Sequence, residues 1–435
     1  MTDTVFALAS APGRAAIAVW RLSGPATADA VRALTGRGLP RPRHASLRTI
    51  RNPETGEPLD RAMVLWLPGP ASFTGEDSAE IQTHGGKAVA DAMISALGAL
   101  PGLRLAEPGE FSRRAFFNGK LDLTAAEAIA DLAMAETEAQ RRQALRQAEG
   151  GLRDVYEGWR ERLIRLRAHL EAAIEFPDED VGDPLAGLSS EIAALREEIA
   201  RYLADGRRGE RLREGVTIAV VGAPNAGKSS LVNLLARRDV AIVSSEAGTT
   251  RDVIEAHLDL GGYPVILVDT AGLRLAEGAV EAEGIARARA RAEAADLVLA
   301  LFDATCPPDP TTRAMLDGRA IRVRSKSDLA SPQDGFEALP LSAKTGFGID
   351  QLIEALTARV SALLADAGAP PPTRARHRDA LARCVAALTA AGTMPEPELA
   401  AEDLRHAADA LGRITGRIDI EEMLDSVFRD FCIGK

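Results

Sequence analysis

Cysteine is scarce in this chain. Cys306, Cys384 and Cys432 are its only three, and they lie far apart. They form no disulfide framework and no zinc spacing, which fits a reducing cytosol. No apolar run approaches the ~20 residues that span a bilayer. Met1 to Arg14 has neither the basic start nor the apolar stretch of a secretory signal. Net positive charge is lacking as well. At −11 the surface as a whole does not draw in nucleic acid by long-range field. RNA contact then needs a local basic patch, such as Arg207, Arg208, Arg211 and Arg213, or Arg374, Arg376, His377 and Arg378. A solvated helix end or a linker is the simpler account of each. Internal repeats and long low-complexity tracts are absent. What remains is a globular, cytoplasmic chain too long at 435 residues for one core. A length of about 100–200 residues per domain points to three.

The first 118 residues read as mixed α and β, with strands over Ala15–Leu22 and Ala62–Leu67 and a helix over Ala88–Leu100. Helix formers then dominate Thr124 to Ala148, and Thr124 with Glu127 matches a capping box. Trp159, Leu163, Leu166, Leu170 and Ile174 recur every three or four residues, one face of a helix that Pro177 ends. Leu188, Ile192, Leu195, Ile199 and Leu203 repeat that spacing. From Val216 onward strands alternate with helical stretches: Val216–Val221, Pro264–Val268, Leu297–Phe302, Ile321–Arg324 and Ala338–Leu341. Such alternation predicts a parallel sheet with crossover helices. Asp366 to Thr373, with three consecutive prolines, reads as a linker. Helical spacing then returns, with Leu404, Leu411, Ile414, Leu424, Phe428 and Phe431 as core positions. The two flanking helical regions each have little core, so the simplest packing joins them into one discontinuous domain around an inserted α/β module.

Chemistry concentrates in that module. Gly222-Ala223-Pro224-Asn225-Ala226-Gly227-Lys228-Ser229 fits Gly-x-x-x-x-Gly-Lys-Ser/Thr between a predicted strand and a predicted helix. Glycines let backbone N–H groups face phosphates at a helix N-terminus, Lys228 reaches the β and γ phosphates, and the Ser229 hydroxyl suits Mg²⁺. Asp269, Thr270, Ala271 and Gly272 end a second strand, where Asp269 can hold Mg²⁺ through water. Gly248, Thr249, Thr250, Arg251 and Asp252 fall where a switch loop belongs, and one threonine hydroxyl there, of Thr249 or Thr250, can complete the Mg²⁺ shell. Ser325, Lys326, Ser327 and Asp328 follow another strand. The Asp328 carboxylate matches the N1 and N2 donors of guanine and repels adenine. Ser342, Ala343 and Lys344 suit backbone contact to the guanine O6. Five segments in this order at strand ends indicate GTP rather than ATP. Two departures stand out. Leu273 occupies the place of a water-positioning Gln, and Ser325 that of an Asn. A hydroxyl is expected to fall short of the Asn bridge between base and P-loop, weakening affinity.

The whole chain resembles the MnmE, or TrmE, family of tRNA-modification GTPases. Besides the motifs above, the likeness rests on Pro108-Gly109-Glu110-Phe111-Ser112 through Leu123, on Ser72-Phe73-Thr74-Gly75-Glu76-Asp77, on His84-Gly85-Gly86 and on Phe431-Cys432-Ile433-Gly434-Lys435. The resemblance implies an α/β multidomain protein. Residues 1–118 would be an α+β folate-binding and dimerising domain. Residues 119–211 and 366–435 would form a discontinuous helical domain, and 212–365 an inserted Ras-like P-loop GTPase domain.

It also implies a homodimer that joins the flavoprotein MnmG (GidA) in a heterotetramer. Together they add a carboxymethylaminomethyl-type group to C5 of the wobble uridine of certain tRNAs, with a 5-formyl- or methylene-type tetrahydrofolate derivative as carbon source. The nucleotide set gains Ser230, Ser244, Ser245, Glu246 and Ala247. K⁺ would sit by Asn225, Ser244, Glu246 and Thr249, Glu281 would orient water beside Lys228, and folate would meet Arg21, Glu80, Lys120 and Lys435. Cys432 falls near the modification chemistry, as a nucleophile or as an inert thiol. A prenylation reading of it fails, because Cys-Ile-Gly-Lys ends in Lys. His84 reads best as a structural loop residue. Two alternatives stay open: a GTPase switch in ribosome assembly, and a folate-binding scaffold whose nucleotide site has decayed at Ser325.

Overall fold

The computed structural model describes residues 3–175, 184–205, 207–238, 240–242, 255–269, 289–331, 334–365 and 368–418, with Leu424, Val427, Phe428, Phe431 and Gly434. The chain divides into two compact units. One comprises Met1–Ala130, Gln147–Ser189 and Ala386–Lys435; the other comprises Asp131–Arg146 and Ser190–Val385. Among the described residues no helix is long and apolar enough to cross a membrane.

The first unit opens with six strands: β1 (Thr4–Leu8), β2 (Ala15–Ser23), β3 (Ser46–Arg51), β4 (Pro58–Leu67), β5 (Ser78–Gly85) and β6 (Leu103–Leu105). They form one sheet in the order β3-β4-β5-β2-β1-β6, antiparallel except for β1 against β6. Alternation decides the buried face. Trp20 and Leu22 of β2, Val64 of β4 and Ile81 of β5 point into a core closed by Val31 and Leu34 of the helix Thr27–Thr35 and by Met93 and Leu97 of Lys87–Gly98. Each such side chain contributes about 1.5–3 kcal/mol on burial.

In the same unit the predicted apolar face of the helix Gly151–Glu175 is buried at Trp159, Leu163, Leu166 and Leu170. Helices from both flanks of the α/β module meet here. The Thr415 hydroxyl, at the end of the helix Pro397–Thr415, donates to Glu157 at 2.9 Å, and Arg417 pairs with the same carboxylate at 2.7 Å. Leu123 and Ala126 pack with Leu424, Phe428 and Phe431. The helical domain is therefore discontinuous in sequence, as expected.

The capping box at Thr124 is not made. Asp122 caps that helix, its carboxylate accepting from the N–H of Thr124 at 2.8 Å and of Ala125 at 3.0 Å. The helix-forming run also breaks in two, Leu123–Met134 and Glu138–Ala148. The box lies at the break: Gln140 Oε1 accepts from the Thr137 N–H at 3.0 Å, and Thr137 Oγ1 accepts from the Gln140 N–H at 3.4 Å.

The second unit carries β7 (Val216–Gly222), β8 (Glu255–Leu260), β9 (Tyr263–Asp269), β10 (Leu297–Asp303), β11 (Ala320–Ser325) and β12 (Leu339–Pro340) in the order β12-β11-β10-β7-β9-β8. The four pairs from β12 to β9 are parallel, and β7 and β10, covered on both faces, are apolar almost throughout. β8 corrects the all-parallel expectation. It pairs antiparallel with β9 through Gly261-Gly262, both with positive φ, the backbone a two-residue hairpin turn requires.

The two proposed basic patches are not patches. Arg208 donates to the carbonyls of Ala365 at 2.8 Å and Ala369 at 3.2 Å. Arg211 pairs with Asp296, and Arg213 and Arg374 share Asp131. Arg378 pairs with Asp205, and His377 is buried. Segment 368–373 is accordingly tied down rather than free, with Tyr202 donating to the Pro370 carbonyl and Thr373 buried.

Candidate nucleotide and folate sites

Parallel strands bring the phosphate-loop motif to one sheet edge. β7 ends at Gly222 and the helix Lys228–Leu235 begins six residues later. A Cβ on Gly222 would stand 2.7 Å from the Leu301 carbonyl of β10, so only glycine lets the strand turn there. Asn225, exposed, and Gly227 both take positive φ, curling the loop back upon itself. Ala226 is buried and Ser230 exposed.

Lys228 is 8% exposed, and its ammonium donates to the carbonyls of Gly222 at 2.8 Å and Ala223 at 2.9 Å. Burial lowers its pKa, against the opposing pull of Asp269 and Asp309. The Ser229 hydroxyl donates to Asp269 Oδ2 at 2.6 Å. Asp269 closes β9 beside Val220 of β7, and its own carbonyl accepts from Arg291 at 3.1 Å. A hydroxyl and a carboxylate this close are hard oxygen donors of the kind Mg²⁺ selects.

The base-recognition loop is fastened from three sides. Ser325 Oγ donates to the Ala226 carbonyl at 2.6 Å and approaches the Phe302 carbonyl at 3.3 Å. The hydroxyl thus makes the P-loop half of the bridge that an Asn would extend to the base. Lys326, also at positive φ, pairs with Asp303 at 2.6 Å. The Ser327 N–H donates to the Leu341 carbonyl at 3.0 Å. Asp328 is exposed, and among the described residues no donor engages its carboxylate, which leaves both oxygens to accept from a base. Ser342 is buried, its Oγ accepting from the Thr345 N–H at 3.2 Å, with half-buried Ala343 and exposed Lys344 on the turn it stabilises. Asp303 escaped the sequence reading. Its signal is an acidic residue closing an apolar strand, the position Asp269 holds on β9.

The remaining nucleotide and cation candidates, Ser244, Ser245, Glu246, Ala247, Gly248, Thr249, Thr250, Thr270, Ala271, Gly272 and Glu281, lie outside the described residues, as do Leu273, Cys432 and Lys435.

In the first unit, Arg21 of β2 and Glu80 of β5 are direct cross-strand partners, paired at 3.1 Å. The Arg21 guanidinium lies 5.5 Å from the Phe73 ring centre and 5.7 Å from that of Phe111, and donates to the Gly434 carbonyl at 3.4 Å. A cation and a carboxylate on one strand pair, with aromatic rings from a loop and a helix beside them, suit a flat, polar, anionic-tailed ligand. Exposed Lys120 runs its stem beside Gly75.

The unusual motif residues brace this site. Arg114 is fully buried and pairs with Asp3 at 2.9 Å, Glu110 at 2.9 Å and Glu76 at 3.2 Å. Asn118 donates to the Thr74 carbonyl at 2.7 Å, clamping the loop 72–77 to the helix Glu110–Phe117. His84 bonds Asp60 through both its N–H and its ring, as a structural histidine does.

A family model described as the MnmE helical domain matches residues 123–432, and one described as the GTP-binding protein TrmE N-terminus matches residues 4–120. The tRNA modification GTPases MnmE of Parvibaculum lavamentivorans and Paramagnetospirillum magneticum are 57% and 56% identical, each over 100% of both chains. Human mitochondrial GTPB3, a 5-taurinomethyluridine tRNA synthase subunit, is 51% identical over 99% of this chain and 93% of its own. The G domain of the Thermotoga maritima FeoB iron transporter aligns with 34% of this chain and 98% of its own at 24% identity, with a TM-score of only 0.25. From its phosphate loop to its full-length relatives, this chain is a member of the MnmE (TrmE) family of tRNA modification GTPases.

Proposed function

We propose that the chain is a K⁺-dependent GTPase whose nucleotide cycle drives modification of the wobble uridine of certain tRNAs at C5. The observation that carries the reading is the joined site. Lys228, Ser229 and Asp269 gather at the mouth of the phosphate loop, and Ser325 ties that loop to the segment bearing Asp328. Within this reading the GTPase module spans 212–365, Mg²⁺ is held by Ser229 and Thr250, and K⁺ by Asn225, Ser244, Glu246 and Thr249. The cation neutralises charge that phosphoryl transfer develops, the task of an arginine finger elsewhere. Glu281 orients water where Leu273 does not.

The Arg21–Glu80 pair, with Lys120 and Lys435, holds a tetrahydrofolate derivative that supplies one carbon. The chain works in the cytoplasm as a homodimer with the flavoprotein MnmG (GidA). The names of its relatives support tRNA as substrate, and the human relative's name points to a 5-substituted uridine. GTP hydrolysis acts as a conformational switch, not as the modifying chemistry.

Nucleoside analysis of bulk tRNA from cells lacking the chain tests the reading. Loss of a 5-substituted uridine is expected, and an unchanged profile refutes it. GTP turnover in K⁺ should exceed that in Na⁺ severalfold, and equal rates remove the K⁺ site. Co-purification with ribosomal subunits in place of a flavoprotein would favour a role in ribosome assembly.

A further inference from the structure

β3 ends the first unit's sheet, and along it runs a cavity of about 200 Å³ that neither site above uses. Arg37, Arg48, Arg51 and Arg61 line it, with Thr35 and Thr49. The register sets Arg61, opposite Thr49, on one face and Arg48, opposite Ala62, on the other, where Arg37 follows the helix Thr27–Thr35 that packs on β3, so the arginines reach the cavity from both faces of this edge. From Arg32 to Arg61 the chain carries seven arginines, no lysine, and only the carboxylates of Glu54, Glu57 and Asp60.

Asp60 is already committed. Its carboxylate accepts from the His84 N–H at 2.7 Å, the His84 ring at 2.8 Å and the Arg61 N–H at 2.7 Å. Arg51 donates to the Gly56 carbonyl at 3.0 Å. Among the described residues, no carboxylate pairs with any of the four lining guanidinium groups. Arg104 and Arg114 of the same unit, in contrast, have two and three carboxylate partners. Four cations gathered without counter-charge raise the local potential of a chain whose net charge is −11. The exclusive use of arginine matches the fork geometry of phosphate oxygens.

We propose that this sheet edge grips the phosphodiester backbone of the tRNA, which rests on the reading that tRNA is the substrate. A second copy of the chain is a poorer occupant, because a two-fold contact through the patch sets arginine against arginine. The grip positions the RNA without reading its sequence.

Labelled bulk tRNA titrated with the full-length protein at several salt concentrations tests the proposal. The triple variant Arg48→Ala, Arg51→Ala, Arg61→Ala is expected to bind about tenfold or more weakly. Its slope of log affinity against log salt should fall by about two. The matching Arg→Lys triple keeps the slope and recovers part of the affinity. Thermal melts and GTP turnover report the fold of each variant, and Arg37→Ala, outside the strands, gives a milder loss of the same kind should the triple unfold. Equal affinity and slope in wild type and variants overturn the proposal alone. A wild-type protein that turns over GTP yet binds no tRNA removes the substrate reading along with it. Loss of flavoprotein capture at unchanged tRNA affinity assigns the patch to a protein partner and also overturns it.

Discussion

The Ser325 hydroxyl donates to the Ala226 carbonyl at 2.6 Å and so binds the base-recognition loop to the phosphate loop. A hydroxyl has one proton, shared here between that carbonyl and the Phe302 carbonyl. None is left for the base. Ser325→Asn supplies a second donor and should tighten GDP binding about three- to tenfold. Ser325→Ala orphans the Ala226 carbonyl and should weaken binding about fivefold, near 1 kcal/mol. Titration with a fluorescent guanine nucleotide reads both, and no change in either shows that the loops are coupled elsewhere.

Lys228 is the second case. In the free protein its ammonium rests on loop carbonyls, and burial holds its pKa below the ordinary lysine value. A bound triphosphate favours the charged form. The free enzyme therefore loses this proton at a lower pH than the complex does, and GTP affinity should fall as pH rises through the depressed value. Lys228→Ala should abolish turnover and flatten that alkaline limb. A limb that persists in the variant belongs to another group.

Arg114 makes a stability prediction. Arg114→Ala leaves half-buried Glu76 without its cation and Glu110 with Arg104 alone, and should cost about 3–5 kcal/mol, read by denaturant unfolding. The network also sets an acid limit. Burial raises the Glu110 pKa, but bonds from Arg104, the Glu107 N–H and Arg114 outweigh it, so the folded value lies below the ordinary 4.5. Its stabilisation is then present above about pH 4.5 and lost as pH falls through the folded value. Melting temperature should drop over that acid window. The Arg114→Ala variant should drop less steeply there, and an identical acid profile would dissociate the network from the effect.

Thiol chemistry separates two of the cysteines. Burial pushes the Cys384 thiol up to about 12, whereas Cys306 is exposed. Iodoacetamide on the native protein should label Cys306 and spare Cys384 until denaturant is added. Equal early labelling, seen by peptide mass spectrometry, would show that the helix Ala375–Thr393 opens locally.

Local pattern determined much of this protein. The phosphate loop, the order of its companion motifs and the parallel core strands were all readable, because backbone turns, helix dipoles and two-sided burial each impose their own residue types within a few positions. Other features were decided only in three dimensions. Thr124 has the residues of a capping box, yet the helix starts one residue before it, Asp122 capping the N–H groups of Thr124 and Ala125, and the box forms at Thr137. β8 hides among polar residues, since an edge strand buries only one face, and Gly261-Gly262 was its one local sign. The charges of Arg208, Arg213 and Arg374 look free in sequence because their partners lie up to 243 residues away. The same long-range pairing separates Arg114, buried among carboxylates, from Arg48 and Arg61, which have no carboxylate partner among the described residues. Charge along a chain is a local property, but neutralisation depends on what the fold brings within a few ångströms.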